Sequence, residues 1–352
     1  MKKILFFTDA FSGGGAEEVM LTFSNQLKSY FDIIHVVKWL GPKKIELKSN
    51  MINLDKKSSI SCLPLLYSIC KKEKPDIIFS STAHNNIIAL ILKLLFFRKL
   101  KVIIRESSVA SIMKKYSLKS IILDFFLVSL MYRMADVIIA QSNDMYNDLV
   151  NNYNFQSQKV QIINNPIEKC GLLKSSKSVK NNIWLLTIGR FSKEKGFDRL
   201  VQVMYELPKK YNLIILGDGV LFENTKNKLK ELGLDKRVFC LGFMEEQNKI
   251  NIIKNSDLYI QTSYVEGFPN SLLQSLCMGL PAVAFDVPGG TKEIINKLNG
   301  VLIQDGNISK MVEEIIKFDF HKYNPEEMKK NILDRFDTNK IIDKLFNIIN
   351  EI

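Results

Sequence analysis

Histidine is scarce in this chain, with three in 352 residues. Its five cysteines (Cys62, Cys70, Cys170, Cys240, Cys277) are scattered and form no C-x-x-C pair. That usage indicates neither a zinc site nor a disulfide framework, and it suits a reducing cytoplasm. No run of 18 apolar residues is free of charge, so no transmembrane helix is expected. Behind Met1-Lys2-Lys3 the apolar run Ile4–Phe7 stops at Thr8-Asp9 with no cleavage site after it. This speaks for a buried first strand and against a signal peptide. No Lys/Arg tract is interleaved with aromatics, and nucleic acid is not expected as a partner. An Asp-x-Asp metal motif and a short-period repeat are also missing.

What is present is a globular composition, 46% hydrophobic and 24% charged, in a chain long enough for two domains. The net charge of +12 asks for an anionic partner, either a phosphorylated substrate or an anionic membrane surface. Strand, loop and helix patterns alternate along the whole chain, the mark of an α/β fold with parallel sheets. Ile4–Thr8 leads into Ser12-Gly13-Gly14-Gly15 and a helix from Ala16 to about Lys28. Further strands are expected at Ile33–Val37, Asp76–Phe79, Val102–Ile104, Val137–Ala140 and Val160–Ile167. Their carboxyl ends, where open α/β sheets bind ligands, offer Gly13, His84, Arg105 and Glu106 as cleft candidates. Two apolar segments, Ile87–Phe97 and Ile121–Met134, are flanked by Arg98, Lys99, Lys101, Lys114, Lys115 and Lys119. They read either as sheet-covering helices or as elements resting in a membrane interface.

Glu168–Asn182 is polar and reads as a linker (168–182), dividing a first domain (1–167) from a second (183–337) and an amphipathic last helix (338–352). The second domain opens with the strand Trp184–Ile188 and then Gly189-Arg190-Phe191-Ser192-Lys193-Glu194-Lys195-Gly196. Arg190 can grip phosphate oxygens in a bidentate manner, and Lys195 is a point charge. The rest of the chain is organised around Tyr264-Val265-Glu266-Gly267-Phe268-Pro269-Asn270-Ser271, running on through Gln274 to Gly279-Leu280-Pro281. Gly267 and Pro269 make a loop, and Asn270 or Ser271 can cap the helix that follows. Glu266 then stands before a helix N-terminus, whose free N–H groups suit a phosphate.

These motifs resemble the retaining GT-B glycosyltransferases of family 4, in which two glutamates hold a sugar nucleotide. Glu266 matches the first, on the donor sugar; the second, on the ribose hydroxyls, is Gln274 here. The resemblance implies two Rossmann-like domains facing a central cleft, with the last helix crossing back to the first domain. It implies that Arg190 and Lys195 hold the donor diphosphate and, with Glu266, form the catalytic set. Gly14, Gly15, Gly189, Phe243, Gly267, Phe268, Asn270, Ser271 and Gln274 are then the donor contacts, with backbone near Phe243 reading the base. The expected activity transfers a sugar, with retention and without metal or other cofactor, from a nucleotide-sugar, a UDP-sugar first, to a glycan acceptor. That acceptor is expected on a polyprenyl-diphosphate lipid at the inner face of the cytoplasmic membrane, in bacterial surface-polysaccharide synthesis. A non-catalytic GT-B scaffold and a nucleotide-sugar epimerase are the competing readings.

Overall fold

The structure, a computed structural model, describes residues 1–9, 14–40, 50–113, 128–168, 170–171 and 182–352. Gly13, Lys114, Lys115, Lys119, the start of the second apolar segment and most of the expected linker lie outside them. The chain divides into two compact units, Met1–Pro166 with Thr338–Ile352, and Ile167–Asp337.

The first unit holds β1 (Lys3–Thr8), β2 (Asp32–Val37), β3 (Asn50–Asn53), β4 (Ile77–Ser81), β5 (Lys101–Arg105), β6 (Val137–Ala140) and β7 (Val160–Ile162). They form one parallel sheet in the order β3-β2-β1-β4-β5-β6-β7. Ile4, Phe6, Ile77, Phe79 and Ile103 are buried on it, as expected where helices cover both faces and the strands read as apolar runs. Its helices include α1 (Gly15–Leu27), α2 (Leu63–Glu73) and α3 (Ala83–Leu95). The last helix, Thr338–Glu351, also belongs to this unit, as the family resemblance implies. Its Ile341, Ile342, Leu345 and Ile349 enter one core with Val19, Met20 and Phe23 of α1.

Two elements escape the pattern reading: β3, only four residues long, and α2, which opens on Leu63-Pro64. The strand expected over Val160–Ile167 stops at Ile162. Beyond it the side chains take other partners, with Asn164 Nδ2 donating to the Gln141 carbonyl at 2.8 Å and Arg105 donating to Asn165 Oδ1 at 2.6 Å. Helix α3 buries Ile88, Ala89, Leu90 and Leu92, so most of that apolar segment covers the sheet. Its far end does not: Leu94, Leu95 and Phe96 are exposed beside Arg98 and Lys99. Among the described residues no helix is long and apolar enough to cross a membrane.

The second unit holds β8 (Ile183–Ile188), β9 (Tyr211–Leu216), β10 (Val238–Cys240), β11 (Leu258–Gln261), β12 (Ala282–Asp286) and β13 (Gly300–Gln304). This sheet is also parallel, in the order β10-β9-β8-β11-β12-β13. One face packs α4 (Phe197–Glu206) through Phe197, Leu200, Val203 and Met204. The other buries Leu272, Leu273 and Leu276 of a helix over Asn270–Cys277 against Met328, Ile332 and Phe336 of a later one, Pro325–Phe336. With α5 at Glu246–Asn255, these two are α6 and α7 in chain order. Cys277, at the end of α6, forms a disulfide with Cys170, Cα atoms 6.1 Å apart, against the expectation of none. The partners are 107 residues apart, so it is the packing of α6 that brings them together.

Candidate active site

In each sheet the strand order reverses beside the first strand, and such switch points are where open α/β sheets bind ligands. In the second unit this point lies between β8 and β11. The loop after β8 carries Arg190 and Lys195, and the loop after β11 carries Glu266. Lys195 Nζ donates to both Glu266 oxygens, at 2.8 and 2.7 Å. Ser263 Oγ donates to Glu266 Oε1 at 2.6 Å. The carboxylate side chain is 7% exposed and the lysine 27%, so the pair is sunk at the carboxyl end of the two central strands. Separated by 71 residues, these partners could not be matched from spacing, and Ser263 carried no signal of its own.

Backbone contacts fix the two loops. Tyr264 N donates to the Glu194 carbonyl at 2.8 Å, and Thr262 Oγ1 to the Gly196 carbonyl at 3.0 Å. Gly196 sits at φ +63°, where a Cβ would overlap the Thr262 carbonyl. Glu266 N donates to the Pro288 carbonyl at 3.0 Å, and Gly289, at φ +122°, lies so close that a Cβ would overlap the Glu266 carbonyl. Both positions therefore require glycine. Arg199 lies 3.6 Å over the Tyr264 ring and donates to Asp305 at 2.6 Å, and the Tyr264 hydroxyl donates to Asp198 at 2.5 Å. A buried carboxylate is thus held with its acceptor atoms in a fixed place beside a cation, an arrangement suited to accept from a sugar hydroxyl and to meet a phosphate.

The other expected donor residues of this unit are placed in different ways. Arg190 is exposed next to Gly189, at the end of β8. Gly267 accepts from Gly290 N at 2.8 Å. Phe268 turns inward, its ring edge-on to Phe336 at 5.3 Å. Asn270 and Ser271, read as caps, are the first two residues of α6, and Pro269 holds the cap position. Phe243 is 56% exposed after Gly242. Gln274 is partly exposed on α6 and donates through Nε2 to Glu246 Oε1 at 2.6 Å.

At the switch point of the first unit, between β1 and β4, the structure brings forward residues the sequence did not single out. Asp9 accepts from Lys38 at 2.6 Å and from Thr82 Oγ1 at 3.0 Å. Thr82 itself has φ +77°, costly for a β-branched residue and characteristic of constrained ligand edges. Gly14 is the N-cap of α1, where its N–H donates to Glu17 at 3.1 Å, and Gly15 is the first helical residue. His84 is exposed in the first turn of α3. Arg105 and Glu106, by contrast, are interior, 0% and 6% exposed. Arg105 donates to Asn165 and, at 3.3 Å, to Ser81, while its Nε has no partner; burial pulls its pKa down to about 9. Burial also pushes the Glu106 carboxyl up to about 7, although it accepts from the Tyr132 hydroxyl. These two charges organise the interior of the unit and do not line an open surface.

Both halves of the chain match known families. Residues 13–169 match the family model described as Glycosyltransferase Family 4, and residues 172–334 match Glycosyl transferases group 1. The N-acetylgalactosamine-N,N'-diacetylbacillosaminyl-diphospho-undecaprenol 4-alpha-N-acetylgalactosaminyltransferase of Campylobacter jejuni is 27% identical over 328 residues, 89% of each chain. The UDP-Gal:alpha-D-GlcNAc-diphosphoundecaprenol alpha-1,3-galactosyltransferase of Escherichia coli is 25% identical over 85% of this chain and 77% of its own. Among solved structures, that of Anabaena Alr3699/HepE in complex with UDP and glucose superposes with a TM-score of 0.84 at 20% identity, covering all of both chains. With both halves of the chain accounted for and the two parallel sheets of the GT-B fold in place, this protein belongs to the family 4, group 1 glycosyltransferases.

Proposed function

We propose that this glycosyltransferase moves a sugar from a nucleotide-sugar, with a UDP-sugar as the first choice, onto a glycan carried by a polyprenyl-diphosphate lipid, in the assembly of a bacterial surface polysaccharide. The observation that carries the reading is the Lys195–Glu266 pair at the switch point of the second sheet, with Arg190 exposed on the same loop as Lys195. Glu266 orients the donor sugar by accepting from one of its hydroxyls. Lys195 and Arg190, with the amides at the start of α6, stabilise the charge that develops on the departing diphosphate, a term that is usually the largest in such catalysis. The bond from the anomeric carbon to the diphosphate breaks and its electron pair leaves with the diphosphate. The acceptor oxygen takes the carbon and passes its proton to an oxygen of the departing diphosphate.

These fixed cations take the place a metal would otherwise fill, so the reaction proceeds without one; its stereochemical course is retention of configuration. The alpha linkages named for both relatives above support retention from an alpha-linked donor. Their names also support a diphospho-undecaprenol acceptor, and the UDP complex of the solved relative supports the nucleotide. The exposed Leu94, Leu95 and Phe96 beside Arg98 and Lys99, on a chain of net charge +12, support docking at an anionic membrane's inner face.

The test is nucleotide release from a panel of UDP- and GDP-sugars, with EDTA present, with and without bacterial membrane lipid extract. Release that requires the lipid, survives EDTA and drops at least 100-fold in Glu266→Ala is the expected result. Absence of release with every donor, together with undetectable nucleotide binding, would overturn the reading in favour of a scaffold.

A further inference from the structure

Cys277 closes α6 and is fully buried among Leu273, Leu276 and Leu280. Cys170 is half-buried, three positions past Ile167, the first residue of the second unit. Their Cα atoms are 6.1 Å apart, within the usual span of a disulfide, so the bond closes without moving the backbone. Among the described residues Cys62, Cys70 and Cys240 stay as thiols. Burial pushes Cys70 up to about 12 and Cys240 up to about 11, which leaves both poor nucleophiles.

The bond lies beside the place where the chain passes between the units. Ile167 N donates to the Phe336 carbonyl at 2.9 Å, and Ile167 pairs with Asp337 in a single parallel bridge. The crossings at Pro166–Ile167 and Asp337–Thr338 are therefore neighbours. The Phe336 ring meets Phe268 just ahead of α6. At the other end of α6 a Cβ on Gly279 would overlap that of Pro325, the first residue of α7. Ile167 and Cys170 thus sit toward opposite ends of α6, one beside the last residue of α7 and the other bonded to Cys277. With the bond formed, the chain just past the first crossing is held at two points. With the bond open, only the backbone contact to Phe336 ties it here. Hinges are a few residues at the ends of elements that absorb changes in φ and ψ, and motion between two units is the default expectation.

We propose that Cys170 and Cys277 are a reversible redox lock on this connection: oxidation stiffens it and slows turnover, and reduction releases it. The reading above places the enzyme at the inner face of the membrane, a reducing compartment in which an intrachain disulfide is transient or redox-sensing, and the inference rests on it. Cys170, the more accessible of the two, meets the oxidant first. Its thiolate attacks one sulfur of a small-molecule disulfide and expels a thiol. The Cys277 thiolate then attacks Cys170 Sγ and expels the second. The two cysteines lose two electrons and two protons, and the two sulfurs of the oxidant carry them away as thiols. A dithiol reverses the exchange.

The experiment compares the full chain treated with oxidised glutathione and with dithiothreitol, the bond being followed by alkylation and mass spectrometry. Backbone hydrogen exchange at Ile167 should slow about tenfold or more on oxidation. Nucleotide release from the UDP- and GDP-sugar panel with lipid extract should show kcat lowered about fivefold and restored by dithiothreitol, while UDP affinity by calorimetry is unchanged. Cys170→Ser should keep the kcat of the reduced wild type under both treatments. Five free thiols after oxidised glutathione overturn the proposal. So does slowed exchange with an unchanged kcat, since the bond is then only a staple, and so does a Cys170→Ser protein that oxidation still inhibits. A wild type that releases no nucleotide in either state fails the nucleotide-sugar reading instead, and exchange at Ile167 then decides the lock by itself: equal rates in the two states overturn it.

Discussion

The two sheets share a strand order through their first six members, yet they treat the charges at their carboxyl ends in opposite ways. In the second unit Arg190 stands out in solvent, and Lys195 keeps more than a quarter of its side chain exposed against a sunken carboxylate. In the first unit Arg105 and Glu106, at the end of β5, have turned inward to Asn165, Ser81 and Tyr132. A charged residue at the end of a parallel strand is therefore not by itself a ligand contact. Exposure and the identity of its partner decide whether it recognises something or supports the fold around it.

That contrast can be broken most directly at the two arginines. Arg190→Ala should cut kcat/KM about 100- to 1,000-fold, the usual cost of removing one electrostatic stabiliser, while the melting temperature stays near wild type. Arg105→Ala should act through the fold, costing about 3 kcal/mol in urea unfolding because buried Asn165 and Ser81 lose their donor. An Arg105→Ala protein as stable as wild type, or an Arg190→Ala protein that unfolds early, would erase the distinction between the units.

The next effect concerns the ion pair. Lys195→Ala strands Glu266 with only Ser263 as a side-chain donor and should cost about 2 kcal/mol, less than a fully buried pair because the lysine is partly exposed. Adding Glu266→Gln should restore most of that stability without restoring transfer. Recovery of activity in the double variant would show that neither charge takes part in the reaction.

The smallest effect sharpens the comparison through pH. Glu106, with its pKa raised from 4.5 to about 7, contributes stability that is whole below pH 4.5 and fades as pH rises toward 7. His35 lies on the same sheet, between Thr8 and Ser24, and burial lowers it from 6.5 to about 3. Its contribution is whole above pH 6.5 and fades as pH falls toward 3. The two slopes oppose each other between pH 4.5 and 6.5. Glu106→Gln should unmask the histidine, so that stability rises with pH there by up to about 1.4 kcal/mol per unit. Denaturant unfolding at pH 5, 5.5 and 6 checks this, and a flat profile in the variant would count against the lowered pKa of His35.

Much of the second unit was legible beforehand because its signals are local. Gly189-Arg190 and Lys195-Gly196 follow an apolar strand directly, and Glu266-Gly267-Phe268-Pro269 punctuates the next loop. The partners were not legible. Lys195 meets Glu266 and Gln274 meets Glu246 only through strand order, which no spacing in the sequence encodes. The Cys170–Cys277 link was missed for the same reason. In the first unit the strand positions were readable from apolar runs, but Arg105 and Glu106 look exposed in a linear reading because they follow a strand end. Only the depth of the surrounding polar side chains reveals them as interior. Asp9 and Thr82 gave no pattern at all, since their meeting joins the ends of β1 and β4.

The placement of Thr338–Glu351 has a consequence for how the protein is made. The apolar side of α1, with Val19, Met20 and Phe23, is covered by a helix that follows the whole of the second unit in the chain. At roughly 5–20 residues per second, a ribosome takes about 10–30 s to produce the intervening stretch. For that time the nascent first unit carries an uncovered apolar face, a natural substrate for a chaperone and a point of risk for aggregation. The unit that is translated first is the one completed last.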